Sequence, residues 1–119
     1  MNTRESRIRV KKLSDITLVE FIDRNILDEA MIQLIGEEIA QLIDAAPSPK
    51  MIISFGGVEH LSSAALGTLI TLDKRIQRNN GQLRLATIDP QIYEVFVITR
   101  LNKLFQIHEN VDEAAKSFA

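Results

Sequence analysis

Polar and apolar positions alternate at the start of the chain and then change period. Ile8, Val10 and Leu13 form one extended run, and Ile16, Leu18, Val19 and Phe21 form a second. Together they predict a hairpin with its turn near Ser14–Asp15. Arg7, Arg9, Lys11 and Lys12 load the first run with charge, which suits a sheet edge because such side chains discourage further pairing. From Met31 the period lengthens: apolar residues recur at 31, 34, 35, 39, 42 and 43 of "EAMIQLIGEEIAQLIDAA", the spacing of one helix face. Asp28 precedes this helix as a cap and Glu29 suits its positive end, while Pro47 and Pro49 stop it.

"MIISF", residues 51–55, is apolar without alternation, the mark of an interior strand covered on both faces. A second helix is predicted from about Ser63. Ala65, Leu69, Leu72 and Ile76 form its stripe, with Leu66 and Ile70 beside it. Lys74, Arg75 and Arg78 favour its C-terminal end, and "NNG" at 79–81 closes it. "QLRLATI" reads as a strand. "DPQIYEVFVITR" opens a third helix with Asp89 as cap and Pro90 in the first turn. "LFQIHE" is a short strand, and "NVDEAAKSFA" a last helix with Asn110 and Glu113 spaced as a capping pair. The order β-β-α-β-α-β-α-β-α predicts an α/β fold with helices packed over a sheet.

Composition narrows the function. With 119 residues, 45% of them hydrophobic and 25% charged, the chain reads as one folded domain spanning residues 1–119. The net charge of −2, from 14 basic and 16 acidic residues, gives no electrostatic reason to expect nucleic acid. There is no cysteine, which excludes disulfides, thiolate metal sites and a cysteine nucleophile. No apolar run approaches the ~20 residues of a membrane helix, and "MNTRESRIRV" lacks a signal-peptide core. The reading is a cytoplasmic protein without a membrane partner.

Catalytic chemistry is sparse. His60 and His108 are not paired with each other or with acids. His60 lies three residues before Ser63, but a general base needs a third group to orient it, and no such acid is indicated. The G-x-S-x-G elbow is missing. "FGGVEH" is not a phosphate-binding loop of the G-x-x-x-x-G-K-[ST] type; Gly56–Gly57 lets the chain leave the strand and turn. Glu37–Glu38 and Asp112–Glu113 sit at helical positions that are ordinarily solvated.

Ser62 and Ser63 admit two readings. As caps they satisfy orphan backbone donors at the helix start, worth about 1 kcal/mol. The same free N–H groups and the positive dipole end also favour an anion, so a phosphate is tolerated there and adds nearly two negative charges. Ala64, Ala65 and Gly67 keep the first turn slim enough for another protein to approach.

The segment "VEHLSSAALGTLITL" resembles the signature of STAS domains of the bacterial anti-sigma factor antagonists, roughly F-x-D-S-[ST]-G-L-G after a buried strand. The resemblance extends to the hairpin, to "ILD" before the first helix, to "NNGQLRLATIDPQIYEVFVITRL" and to "LFQIHENVDEA". It places Leu66 and Gly67 on the L-G of the motif and Ser63 on the serine that partner-switching kinases phosphorylate. Ala64 takes the second hydroxyl position, Ala65 that of the glycine and Ser62 that of the aspartate, while Asp28 matches an acidic residue near the phosphoacceptor. The chain departs from the pattern at Ser62 and Ala65.

The resemblance implies a mixed sheet of four or five strands with about four helices, mainly on one side, and a partner-binding surface of Asp28, Ser62, Ser63, Ala64, Ala65 and Gly67. It implies a non-catalytic regulator that binds an anti-sigma factor or serine kinase of histidine-kinase-like fold and is controlled by phosphate on Ser63. The partner supplies ATP and Mg²⁺, and this chain needs no cofactor or metal. The alternative is a constitutive STAS interaction or scaffold module without phosphorylation. Either form is a monomer or weak homodimer.

Overall fold

Two strand periods and one helical period account for most of the architecture. The structure, a computed structural model, describes residues 6–118. Strands β1 (Ile8–Leu13) and β2 (Ile16–Phe21) form the antiparallel hairpin, in register from Ile8↔Phe21 to Leu13↔Ile16. Ser14 takes the turn with φ 62°. Three further strands, β4 (Lys50–Ser54), β6 (Gln82–Ala86) and β7 (Gln106–His108), add in parallel to give the sheet order β1-β2-β4-β6-β7. The charged β1 and the short β7 are the two edges. β3 (Asn25–Ile26) and β5 (His60–Leu61) form a separate parallel pair that the periodicity does not predict.

Alternation sorts the sheet into two faces. Val19, Phe21, Met51, Ile53, Phe55, Leu83 and Leu85 belong to the main core. They pack under α1 (Glu29–Asp44), α2 (Ser63–Arg78) and α3 (Pro90–Ile98). Ile16, Leu18, Ile52 and Ala86 face the other way and are covered by α5 (Val111–Lys116) through Ala114. "MIISF" is therefore buried on both faces, as its unbroken apolar run predicts.

Two details differ from the pattern. The chain forms five helices among the described residues rather than four, because Leu101–Leu104 make the short helix α4. Arg100, at φ 65°, turns the chain between α3 and α4 without the glycine that usually marks such a corner. In α1 the fully buried stripe is Ile32, Ile35, Ile39 and Ile43, while Leu34 is only half-buried. Close packing on α2 sets this rotation: a Cβ on Gly36 would stand 3.0 Å from the Thr68 methyl. Gly81 is more tightly constrained still, since a Cβ there would run into the Pro49 carbonyl oxygen and the Ile76 side chain.

α2 also buries an acid. Asp73 is 6% exposed and accepts a hydrogen bond from Gln77 Nε2 at 2.9 Å. Burial pushes its carboxyl pKa above the ordinary carboxylate range. In the unfolded chain the group ionises at the ordinary, lower value, so the cost of burying the charge is full above the raised pKa. That cost is relieved as pH falls through the raised pKa towards the ordinary one. Asp73→Asn keeps an oxygen for Gln77 and removes the charge. The variant is expected to be more stable than the parent at pH 7, and the difference should vanish near pH 4. Urea denaturation at the two pH values checks both the sign and the window.

Candidate functional site: two helix starts held side by side

The site is built by the small β3–β5 pair. After Phe55 the chain leaves β4 through Gly56–Gly57, with Gly57 at φ 86° and the Val58 N–H donating to the Phe55 carbonyl at 3.0 Å. It then runs beside Asn25–Ile26, in register Asn25↔His60 and Ile26↔Leu61. The Ser62 N–H extends the ladder by donating to the Ile26 carbonyl at 3.1 Å. Both segments then turn into helices, α1 three residues after Ile26 and α2 two residues after Leu61. Asp28, the cap of α1, and Ser63, the first residue of α2, each stand two residues beyond the Ile26↔Leu61 pair, and α1 and α2 start next to each other.

Each start is capped by its own side chain. Asp28 Oδ2 accepts from the Met31 N–H at 2.9 Å, and Ser62 Oγ accepts from the Ala65 N–H at 3.2 Å. Both caps have extended backbone, as N-caps do. The two serines therefore divide the work. Ser62, half-buried, is the cap; Ser63 is the first helical residue and is exposed. Among the described residues the Ser63 hydroxyl has no hydrogen-bond partner.

Ala64 and Gly67 are exposed on the same turn, so this part of the surface is low and open. They form one end of a groove of about 580 Å³ between α1 and α2, whose walls include Gln33, Gly36, Glu37 and Thr71. Ala65 does not belong to this surface. It is 5% exposed and packs in the main core, because its position on the 65–69–72–76 stripe turns it towards the sheet. Its expected place among the partner-contacting residues is corrected accordingly: Ala65 supports the turn from beneath.

His60 does not act on Ser63 through an acid. Its Nδ1 lies 2.7 Å from Asn25 Oδ1, an amide across the β3–β5 pair, and this bond ties the two segments together. Among the described residues no group of three His, Asp or Glu side chains is arranged to hold a metal ion. A small void beneath α2, about 20 Å³, is lined by Phe21, Phe55, Leu69 and other apolar side chains and by Thr68, and is too small for a substrate. No described helix is long and apolar enough to cross a membrane. The arrangement offers a free hydroxyl on an exposed helix start, with the positive end of sixteen helical residues behind it.

The STAS domain family model matches residues 7–114, which takes in every strand and all the helices through most of α5. The chain belongs to the STAS domain family. Several of the proteins it is similar to are named anti-sigma factor antagonists, and others are an anion transporter and a sulfate transporter family protein. The candidate anti-sigma factor antagonist BtrV of Bordetella bronchiseptica is 23% identical over 95 residues, covering 80% of this chain and 81% of that protein. The fold matches a solved anti-sigma factor antagonist (STAS) domain protein from Planctomyces limnophilus at TM-score 0.85, with 22% identity over 92% of this chain and 96% of that one. It also matches the Bacillus cell fate determinant SpoIIAA in its phosphorylated form, at TM-score 0.72 and 14% identity over 94% and 99% of the two chains. The STAS fold anticipated from the signature segment is the fold observed, a mixed five-stranded sheet with α1 to α3 on one face.

Proposed function

We propose that this STAS domain is a partner-switching regulator of the anti-sigma factor antagonist type, with Ser63 as its phosphoacceptor. The observation that carries the reading is the exposed, unengaged Ser63 hydroxyl at the start of α2, next to the Asp28 start of α1. Unmodified, the chain binds a kinase-type anti-sigma factor, or a serine kinase of the same histidine-kinase-like fold, through Asp28, Ser62, Ser63, Ala64 and Gly67. The low first turn of α2 admits the partner closely. In the bound pair, Ser63 Oγ attacks the γ-phosphorus of the partner's ATP. The bond to the β,γ-bridging oxygen breaks, ADP leaves, and the hydroxyl proton passes to a base on the partner.

The product is stable as a monomer, because phosphate meets the positive helix end. It is a poor ligand, because nearly two added charges must be desolvated at a close contact. Binding is thereby reversed without refolding. Asp28 contributes its carboxylate to the partner contact as well as capping α1.

Two substitutions test this by titration against the cognate partner. Ser63→Asp is expected to weaken binding by about tenfold or more, a partial copy of phosphate because a carboxylate carries less charge. Asp28→Asn retains most of the cap while losing the charge, and is expected to lower partner affinity with little change in thermal stability. Unchanged affinity in both variants would place the interface elsewhere and leave the constitutive module as the reading.

A further inference from the structure

The sheet face opposite α1 and α2 holds one buried charge. Arg84 sits on β6 and is 7% exposed. Its Nε donates to Ser117 Oγ at 2.8 Å, its Nη2 to Gln82 Oε1 at 2.9 Å and its Nη1 to the Leu83 carbonyl at 3.3 Å. The Phe118 ring lies 4.5 Å from its Cζ. Among the described residues every oxygen it meets is neutral and no carboxylate pairs with it. A carboxylate offers a guanidinium an opposite charge and a matching two-pronged fork, which a single hydroxyl oxygen does not.

Two of these contacts, Ser117 and Phe118, come from the C-terminal segment, which is lightly held. α5 has six residues, too few to be helical on its own. It fully buries only Ala114, with Val111 and Ala115, and Phe118 just beyond the helix, half-covered over Ile16, Leu18, Ile52 and Ala86. Glu109 and Asn110 alone connect it to β7.

We propose that the apolar strip under α5 is a second docking site, covered at rest by α5. Its occupant is an acidic amphipathic segment of a partner protein, whose carboxylate replaces the Ser117 hydroxyl on Arg84. The occupant repeats the apolar spacing of Val111, Ala114, Ala115 and Phe118 and places an acid at the Ser117 position. The site lies across the sheet from Ser63, is independent of the switch reading, and can be filled while the α2 start is engaged.

Hydrogen exchange on the full chain tests the cover. Amides of residues 111–118 should exchange about 100-fold faster than those of β4, because a lightly held element opens without global unfolding. Exchange at the rate of β4 would overturn the proposal. A fluorescent peptide of residues 109–119 carrying Ser117→Asp tests the occupant. It should bind the full chain about tenfold tighter than the unaltered peptide, and this preference should disappear in the Arg84→Met chain. Equal binding of the two peptides, or a preference that survives Arg84→Met, would overturn it. Should Arg84→Met fail to fold, Ser117→Asp in the full chain serves instead. The carboxylate then occupies Arg84 in place, so α5 exchange should slow about tenfold and the acidic peptide should no longer bind. Unaltered exchange and peptide binding would contradict the proposal.

Discussion

Leu69→Ala is expected to destabilise the fold by about 2–5 kcal/mol. Leu69 is 4% exposed, at the centre of the α2 stripe, and packs in the main core with Phe21, Ile35 and Phe55. It also lines the small void beneath the helix. Truncation enlarges space that is already unfilled, so the transfer loss and the cavity term add. Against a typical total stability of about 5–15 kcal/mol, this is a large fraction. Chemical denaturation measures it, and a loss below about 0.5 kcal/mol would show that α2 does not seat on the sheet through this stripe.

Ser63→Ala is expected to abolish phosphate transfer while leaving the fold and partner binding in place. The structure sharpens this expectation, because the capping oxygen belongs to Ser62 and not to Ser63. Ser63→Ala removes an exposed hydroxyl at a position where alanine is a good helix former, so stability should stay within about 0.5 kcal/mol of the parent. Ser62→Ala should behave in the opposite sense, losing about 1 kcal/mol of cap while still accepting phosphate. Denaturation curves and radiolabel incorporation on the two variants separate the roles. If Ser63→Ala unfolds the domain, the assignment of the cap is wrong.

Long periodic segments were legible in the sequence, and short contacts were not. The hairpin and the α2 stripe repeat a pattern over enough residues to show their period, and the "MIISF" strand shows itself by an unbroken apolar run. β3 and β5 have two residues each and no period to read, yet their pairing sets Asp28 and Ser63 at matching offsets beyond it. The resemblance alone pointed to a relation between these two positions. α4 follows a left-handed arginine rather than a glycine, so its start carried no signal. In "QLRLA" Arg84 lies on the face opposite Leu83 and Leu85, and that face is covered by α5 and not by water, which a lone arginine in a strand does not announce. Ala65 was the avoidable error. Its place in the helical stripe already pointed inward, whereas its small size suggested a surface open to a partner.

The most direct test of the Ser63 switch is site-mapped mass spectrometry of the chain after incubation with its cognate kinase, ATP and Mg²⁺. The account predicts a single phosphate on the peptide containing residues 62 and 63, with fragment ions placing it on Ser63. Phosphate on Ser62 or Ser117, or no phosphate while tight binding persists, would contradict it.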